Sequence, residues 1–585
     1  MVRVRESLSR SLRGMRESVE RYPLTVLFLL GVAVVNGIQI EQNQGEERLM
    51  FSFLLGAMLS VVGQALYERF RNEVRQRYLW MGLSAILTLV YYWMAGSIDE
   101  NYLAISIRTS VALFALFVAF IWIPTIRKDD LAFHRRFLAA FQSFFISLIF
   151  LVVLAGGVSA IFSAVRYLLF SLDFKLLAHL LNPIYTVFAP LFFLSLVPDD
   201  RETSANLNRW PISVPVFLDR LLSYVVIPLL AVYTLILAAY VLLNITGDFW
   251  TDNLLEPLLV SYAIIGIIVL ILSYNLDNRW AVLFRRIFPK VLIPIVVFQT
   301  IASILRISQM GITHGRYYVI LFGLFAAIFG VVFSFMKVRN HGWIAAALLI
   351  LAALSIVPPI DAFTVSRNNQ IAFLEEKLIE SNILVGGEIV ANEDTSRENK
   401  VAITLATTYL EDMDYTDEVS YLPETFNAYI DFEETFGFEM TYPEGPGGQS
   451  PDGGQFYYYE GADFQVFNTQ DDDILSLQSI DHQRGQDANY DDDIPFSVDA
   501  TDCVLERRLE DDYYTLTLRE AESQEELISY DTRQLFEALN ENPNPQEELS
   551  FQVENDEASF EIIVRSLDQA ESYYHAEFYL FIDIK

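Results

Sequence analysis

The chain is 585 residues long, 53% hydrophobic and 14% aromatic, with a mean hydropathy of +0.31 and a formal net charge of −34. Hydrophobicity of that order argues against a wholly soluble protein, and the charge argues against nucleic acid as a partner. A single cysteine, Cys503, excludes a disulfide within the chain and any cysteine-based metal site, and leaves a small buried or half-buried residue as its ordinary reading.

Charge and hydrophobicity are unevenly spread. Residues 1–360 hold 29 Lys+Arg and 21 Asp+Glu, a net of +8, whereas residues 361–585 hold 11 and 53, a net of −42. Two solvents are implied, lipid for the first part and water for the second. The junction is residues 343–361, WIAAALLILAALSIVPPID, which read as the last crossing and end at Pro358-Pro359. Lysine is scarce, seven against 33 arginines. An acidic, lysine-poor surface suits salt or divalent cations, and equally serves as an ordinary solubilising surface.

In chain order, residues 1–21 place Val4, Leu8, Leu12, Met15 and Val19 on one helical stripe, with six arginines on the rest. This predicts an amphipathic helix on the cytoplasmic leaflet, its arginines near anionic lipid. The apolar run that follows, 23–40, has no small-residue cleavage site and reads as a retained anchor rather than a signal peptide. Ten more apolar runs follow, at about 49–67, 79–96, 103–125, 137–165, 176–197, 221–244, 257–275, 291–309, 317–336 and 343–358. Most reach the ~20 residues that span the hydrocarbon core, and lipid leaves helices as the way to satisfy their backbone. Pro190, Pro228 and Pro294 predict kinks, or broken helices at a transport site.

With the N-terminus inside, segments 1–21, 68–78, 126–136, 198–220, 276–290 and 337–342 hold 23 Lys+Arg, and the five outer loops hold four. The positive-inside rule then places the N-terminus in the cytoplasm, and an odd number of crossings places the acidic region outside. The fold class expected is a membrane all-α helical bundle of about 11 transmembrane helices followed by a soluble α+β C-terminal domain. Its divisions are 1–21, 22–360 and 361–585.

Within the last division, 366–380 predicts a helix with Ile371, Leu374 and Leu378 inward, and 383–390 a hairpin about Gly386-Gly387. Thr395 and Glu398 have capping-box spacing before a second helix with Val401, Leu405 and Tyr409 on one face. PEGPGGQSPDGG (443–454) reads as a loop. Strands are clearest at 560–564 and 578–584, where Phe578, Leu580, Ile582 and Ile584 alternate.

Candidate chemistry is sparse. Arg108 and Arg306 lie within apolar spans, where charge is costly and marks function or a specific buried pair, unless the side chain snorkels to the interface. The turn between spans nine and ten, RISQMGITHGRYY, offers Gly311 and Gly315 for a tight bend, Thr313 as a helix cap, and Arg316 and Tyr317 at headgroup level. His314 is a titratable loop residue. Arg108, Arg306, Thr313 and Arg316 are the candidate ligand-binding positions. Glu41, Glu46, Glu47, Asp99 and Glu100 raise the idea of carboxylates in outer loops acting on a lipid-linked sugar. Asp471–Asp473 and Asp491–Asp493 are oxygen-rich but lack the alternation and central glycine of a calcium loop, and read first as solvated acidic loops. The chain contains no P-loop, dinucleotide fingerprint, HExxH or G-x-S-x-G, and its six histidines are far apart in sequence, so no metal, cofactor or catalytic residue is nominated.

Three stretches resemble a bacterial family of polytopic membrane proteins, domain-of-unknown-function family 4153. They are RYPLTVLFLL (21–30), the turn from Arg306 as R-x-x-x-x-G-[LI]-T-x-x-R, and DAFTVSRNNQIAFLEEKLIESNILVGGEIV (361–390) with its helix and hairpin. The resemblance implies the two-part architecture and a bacterial envelope setting. It makes Arg306, Gly311, Thr313 and Arg316 family-like positions and supplies no activity. The function expected is that of a non-enzymatic transporter-like or envelope-associated protein of the bacterial cytoplasmic membrane. Membrane lipids, and a protein or small-molecule partner of the outer domain, are its expected partners. The alternative is an enzyme acting on a lipid-linked substrate at the outer leaflet.

Overall fold

A computed structural model describes residues 14–42, 47–70, 73–95, 102–170, 172–198, 214–244, 255–423, 426–442, 457–460, 474–483, 492–498, 501–510, 513–521, 523, 525–541, 549–555, 557–569 and 573–585. The chain divides into two compact units, Met1–Thr441 and Tyr442–Lys585.

Every one of the eleven apolar runs is helical. Among the described residues nine helices are long and apolar enough to cross a membrane: Pro23–Gln42, Glu47–Phe70, Tyr102–Thr125, Ala132–Leu168, Phe174–Leu196, Val216–Tyr240, Arg279–Leu305, His314–Phe335 and Val338–Ile356. The count of about eleven is therefore not reached. Val74–Met94 is long enough but mixes Arg75, Arg77 and a run of Tyr and Trp into its apolar residues, and Pro257–Ser273 is the apolar part of the 19-residue helix Leu255–Ser273.

Polar contacts gather many of the segments between the helices into two groups. At one end Arg21 grips Glu68 bidentately at 2.8 and 2.6 Å, and Arg77 reaches the carbonyls of Glu20 and Arg21. Arg69 donates to the Ile126 carbonyl, Arg136 to Pro198, Asn278 to Asp219, and His134 meets His341. All six arginine- and lysine-rich segments are thus tied to one another. At the other end Glu41 pairs with His179 at 2.8 Å, and Arg48 donates to the Tyr92 carbonyl. The described part of the leading helix, residues 14–21, carries two arginines: Arg16, exposed and paired with Glu20, and Arg21, committed to Glu68. Residues 1–13 lie outside the described residues.

The helical backbone continues through Pro190, Pro228 and Pro294 without a break. Five-residue π-helical turns, Ile184–Phe188 and Leu222–Val226, lie just before Pro190 and Pro228. A proline clashes with the carbonyl four residues back and offers it no N–H. Those residues are Thr186 and Tyr224, each the middle of its π turn, so the widened turn absorbs the defect.

Helices Arg279–Leu305 and His314–Phe335 approach closely through glycine. A Cβ on Gly323 would lie 2.1 Å from Thr300 Oγ1, and one on Gly330 2.6 Å from Ile293 Cγ1. Small residues replace the hydrophobic effect as the means of helix contact in lipid. Beside this seam Gln299 is buried with neither amide atom hydrogen-bonded. An unpaired buried amide costs about 1–3 kcal/mol. Gln299→Leu is expected to raise the thermal midpoint of the purified protein in detergent; a fall would show that the amide has a partner.

Residues 362–441 belong to the first unit. The composition boundary at 360/361 and the contact boundary at 441/442 are therefore different places. Helix Ala362–Glu380 buries Phe363, Leu374 and Leu378 against Ala402, Ile403, Ala406 and Leu410 of helix Arg397–Asp412. Ala104 of a membrane helix shares that core. The second helix is capped one residue later than its sequence suggests: Ser396 accepts from the Asn399 N–H at 3.3 Å, while Thr395 donates to the Asn392 carbonyl. Its buried face moves with the cap, leaving Val401, Leu405 and Tyr409 half-buried. β1 (Leu384–Val385) and β2 (Glu388–Ile389) form the expected hairpin, with Gly386 and Gly387 at φ +67° and +92°. Positive φ at both central positions is what a two-residue hairpin turn needs.

The second unit is built of β-sheet, with one described helix, Arg533–Glu541. The strands are β3 (Tyr457–Glu460), β4 (Ile474–Gln483), β5 (Asp492–Val498), β6 (Thr501–Glu510), β7 (Tyr513–Glu520), β8 (Glu526–Asp531), β9 (Ser550–Glu554), β10 (Ala558–Gln569) and β11 (Tyr573–Ile584). One antiparallel sheet runs β3-β10-β11-β4, with β9 also on β10, and the other runs β5-β6-β7-β8. Phe560, Ile562 and Val564 sit opposite Ile582, Leu580 and Phe578. These side chains share one core with Leu505, Leu516, Leu518 and Tyr530 of the second sheet. The alternation read at 578–584 is thus an inward face. Of the helices expected in an α+β domain from 361, two instead pack in the first unit. Cys503 is buried in β6, where burial and the Glu520 and Asp502 carboxylates push its thiol pKa up. Asp492 and Asp493 open β5 opposite Arg507 and Glu506. Asp471–Asp473, Asp491 and the loop 443–454 lie outside the described residues.

Candidate functional site

The nominated turn is built by three local signals. Helix Arg279–Leu305 ends at Arg306, which is buried and whose N–H still reaches the Ala302 carbonyl. A short helical turn, Ile307–Met310, stops at Gly311, whose φ of +65° and ψ of −175° suit glycine alone. Thr313 then caps helix His314–Phe335, its Oγ1 accepting from the Arg316 N–H at 3.3 Å. Arg316 folds back, donating to the Gly311 carbonyl at 2.7 Å and lying 3.7 Å from the Met310 sulfur.

The turn faces helix Ala362–Glu380. Asn369 accepts from the Ile312 N–H at 2.6 Å, and Gln370 donates to the Met310 carbonyl at 3.0 Å. His314 donates its backbone N–H to the Tyr409 hydroxyl at 3.1 Å, and its Nδ1 lies 3.0 Å from the same oxygen. Tyr409 donates to Ser366 Oγ at 3.0 Å, and Ser366 to the Phe363 carbonyl. Every donor in that chain finds an acceptor when His314 carries its proton on Nδ1. The loop histidine is therefore half-buried and engaged, rather than solvated.

Arg108 reaches the N-terminus of the same helix. Its guanidinium pairs with Asp361, whose side chain is fully buried, and lies 5.1 Å over the Phe363 ring. Asp361 Oδ2 also caps the helix, accepting from the Phe363 and Thr364 N–H groups at 3.3 Å each. Burial alone would raise the Asp361 pKa; the Thr364 hydrogen bonds and Arg108 outweigh it and hold the carboxyl below its ordinary value. Tyr317 donates to the Ile360 carbonyl at 2.7 Å.

Arg108, Thr313 and Arg316 thus converge, directly or through the turn, on one helix beyond the last span. The outer carboxylates do not converge with them: Glu41 is paired with His179, Glu47 opens its own helix, and Glu46, Asp99 and Glu100 lie outside the described residues. Among the described residues no group of three His, Cys, Asp or Glu is placed to hold a metal ion.

Reading the sequence missed Asp361, Asn369, Gln370 and Tyr409. Asp361 had a signal, an acidic residue immediately before a helix; Asn369 and Gln370 had none, since polar residues on a helix read as solvent-facing. It also missed a second buried cluster. His134 and His341, 207 residues apart, meet at 3.2 Å between Nε2 and Nδ1, with His134 Nδ1 3.1 Å from the Ile271 carbonyl. His134 stacks on Tyr274 and His341 on Phe333.

A helical bundle with many candidate spans, locked at one end to a polar helical cap and followed by a β-sheet region, defines a polytopic membrane protein. The family model described as Domain of unknown function (DUF4153) matches residues 24–385. That is more than half of the chain, which therefore belongs to this family. The match includes Arg108, the 306–316 turn and Asp361, and ends before the β-sheet unit. No curated protein and no solved structure matches the chain.

Proposed function

We propose that the protein is a non-enzymatic, envelope-associated scaffold of a bacterial cytoplasmic membrane. Its helical unit holds the acidic C-terminal region on the extracytoplasmic side, and the β-sheet unit there binds a protein or small-molecule partner. The observation that carries this reading is the fate of three of the four nominated residues. Arg108, Thr313 and Arg316 direct polar groups to fastening helix Ala362–Glu380 onto the spans or to shaping the turn beneath it. A transport or catalytic site would hold such groups toward a cavity. Of the transporter-like and envelope-associated forms, the joint favours the second.

The orientation rests on the bias of 23 Lys+Arg against four, counted over segments whose contacts gather them at two ends. The test is cysteine labelling in intact cells, after Cys503→Ala. A membrane-impermeant maleimide is expected to label Ser450→Cys from outside and to leave Ser9→Cys unlabelled until lysis. The reverse pattern would place the C-terminal region in the cytoplasm and end the scaffold reading in this form.

A further inference from the structure

The start of helix Ala132–Leu168, the last turn of helix Leu255–Ser273 and the turn before helix Trp343–Ile356 meet at one buried histidine pair. We infer that His134 and His341 form a proton-operated latch: the contact tolerates one proton, and a second opens it and frees the turn 337–342. The inference rests on the pair itself and holds for either orientation of the chain in a membrane.

The geometry counts the protons. His134 is 0% and His341 1% exposed, with Nε2 of the first 3.2 Å from Nδ1 of the second. A nitrogen–nitrogen contact of that length needs one hydrogen between the two atoms. His134 Nδ1 lies 3.1 Å from the Ile271 carbonyl, which only accepts, so the neutral ring carries its proton there and leaves Nε2 bare. His341 must then donate from Nδ1. That leaves His341 Nε2 as a lone pair, buried and without a hydrogen bond among the described residues, with the Met336 carbonyl acting on the ring. A first proton goes to this atom and leaves the contact as it was. A second has only His134 Nε2 to go to, where it sets N–H against N–H and one imidazolium against another. The closed pair therefore holds one extra proton at most, whereas two solvated rings hold two.

The surroundings suit one charge and not two. His134 stacks on Tyr274 with centroids 4.2 Å apart, and His341 on Phe333 at 4.1 Å. The two stacks meet edge-on, at 80° between the histidines and 75° between Tyr274 and Phe333. Aromatic faces favour a single cation. Arg285, 5.1 Å over the Tyr274 ring, is a fixed positive charge that reaches His134 and opposes a further one, and Asp277 acts on Arg285. The other charges on these segments are engaged elsewhere or face outward: Arg135 pairs with Asp129, Arg136 donates to the Pro198 carbonyl, and Lys337 and Arg339 are exposed. Among the described residues neither histidine pairs with a carboxylate that would neutralise a second proton.

Opening thus takes up at least one proton. It gains at least tenfold for each unit that pH falls below about 6.5, the value of a free histidine, and the latch is at full strength above it. The turn reports opening through two backbone bonds, the Asn340 N–H to the Lys337 carbonyl at 2.8 Å and the His341 N–H to the Val338 carbonyl at 3.0 Å. The test is hydrogen–deuterium exchange of the full-length protein in detergent from pH 8 to 5, each rate divided by the intrinsic rate at that pH. Protection of 337–342 is expected to be flat above about pH 7 and to fall at least tenfold per unit below about 6.5, while helix Glu47–Phe70 keeps its own. His341→Gln, and separately His134→Gln, is expected to flatten the profile. A glutamine amide offers the remaining histidine either its N–H or its oxygen and so suits both protonation states. The thermal midpoint at pH 8 shows which variant folds. Flat protection in the wild type overturns the latch, as does a slope that survives in a folded glutamine variant. An equal fall in helix Glu47–Phe70 would be general acid unfolding and overturns it too. If neither variant folds, the wild-type slope and its confinement to 337–342 decide.

Discussion

Asp361→Ala is expected to cost about 3–5 kcal/mol, because it leaves the Arg108 guanidinium buried without its carboxylate and uncaps a helix at the same time. The Arg108 side chain is 14% exposed and that of Asp361 not at all, so solvent does little to screen the loss. The damage should be local before it is global. Helix Ala362–Glu380 loses its anchor to helix Tyr102–Trp122, and limited proteolysis of the purified protein should cut in residues 362–441 first. Arg108→Met with Asp361→Asn should recover much of the stability, since a buried pair replaced by neutral groups of similar volume is often nearly neutral. If the single variant unfolds no more readily than the wild type, the joint does not rest on this pair.

The same pair sets a pH dependence, and its sign follows from the depressed Asp361 pKa. A carboxyl held below its unfolded value, about 3.9 for aspartate, contributes stability that is fully present above that value. The contribution is lost as pH falls through the lower folded pKa. Between pH 6 and 8 this group should make unfolding no more pH-dependent than in Arg108→Met with Asp361→Asn. The difference between the two should appear below pH 4.

How much of this was readable depended on range. Periodicity and hydropathy are local, and they located all eleven helical runs, the Gly386-Gly387 hairpin and the inward face of β11. A count of crossings is harder, because a helix such as Val74–Met94 mixes arginines and a run of Tyr and Trp into its apolar residues. The partner of Arg108 lies 253 residues away, and no pattern within a window can name it. What the sequence did mark was the cost of the charge, and a buried pair is one of the two answers that cost allows. The boundary shows the same limit. Composition changes at 360/361 because lipid gives way to water, but residues 362–441 are acidic and still pack on the membrane helices, as Ala104 in one core with Phe363 and Leu374 shows. Solvent and packing are different properties, and composition reports only the first.

The turn itself supplies the second large effect. Gly311→Ala is expected to destabilise the protein by about 2–4 kcal/mol, through backbone strain at positive φ and a lost Gln370 hydrogen bond. A Cβ there would lie 2.7 Å from Gln370 Nε2, inside any contact a side chain tolerates. Gln370 donates to the Met310 carbonyl, one residue before the glycine, so pushing it aside frees that carbonyl in a half-buried place. Gly315, four residues on in the same turn, has nothing within 4 Å of its Cβ position and a negative φ. Gly315→Ala is the matched control and should be neutral or slightly stabilising, since alanine favours the helix it opens. Thermal unfolding of both variants in one detergent separates the explanations. A loss at Gly311 alone assigns the effect to the docked turn, and Gln370→Ala in the Gly311→Ala background should then add less than it does alone, because the contact it removes is already broken. Equal losses at both glycines would mean that the turn tolerates no side chain for reasons of its own helix, and that helix Ala362–Glu380 plays no part in holding it.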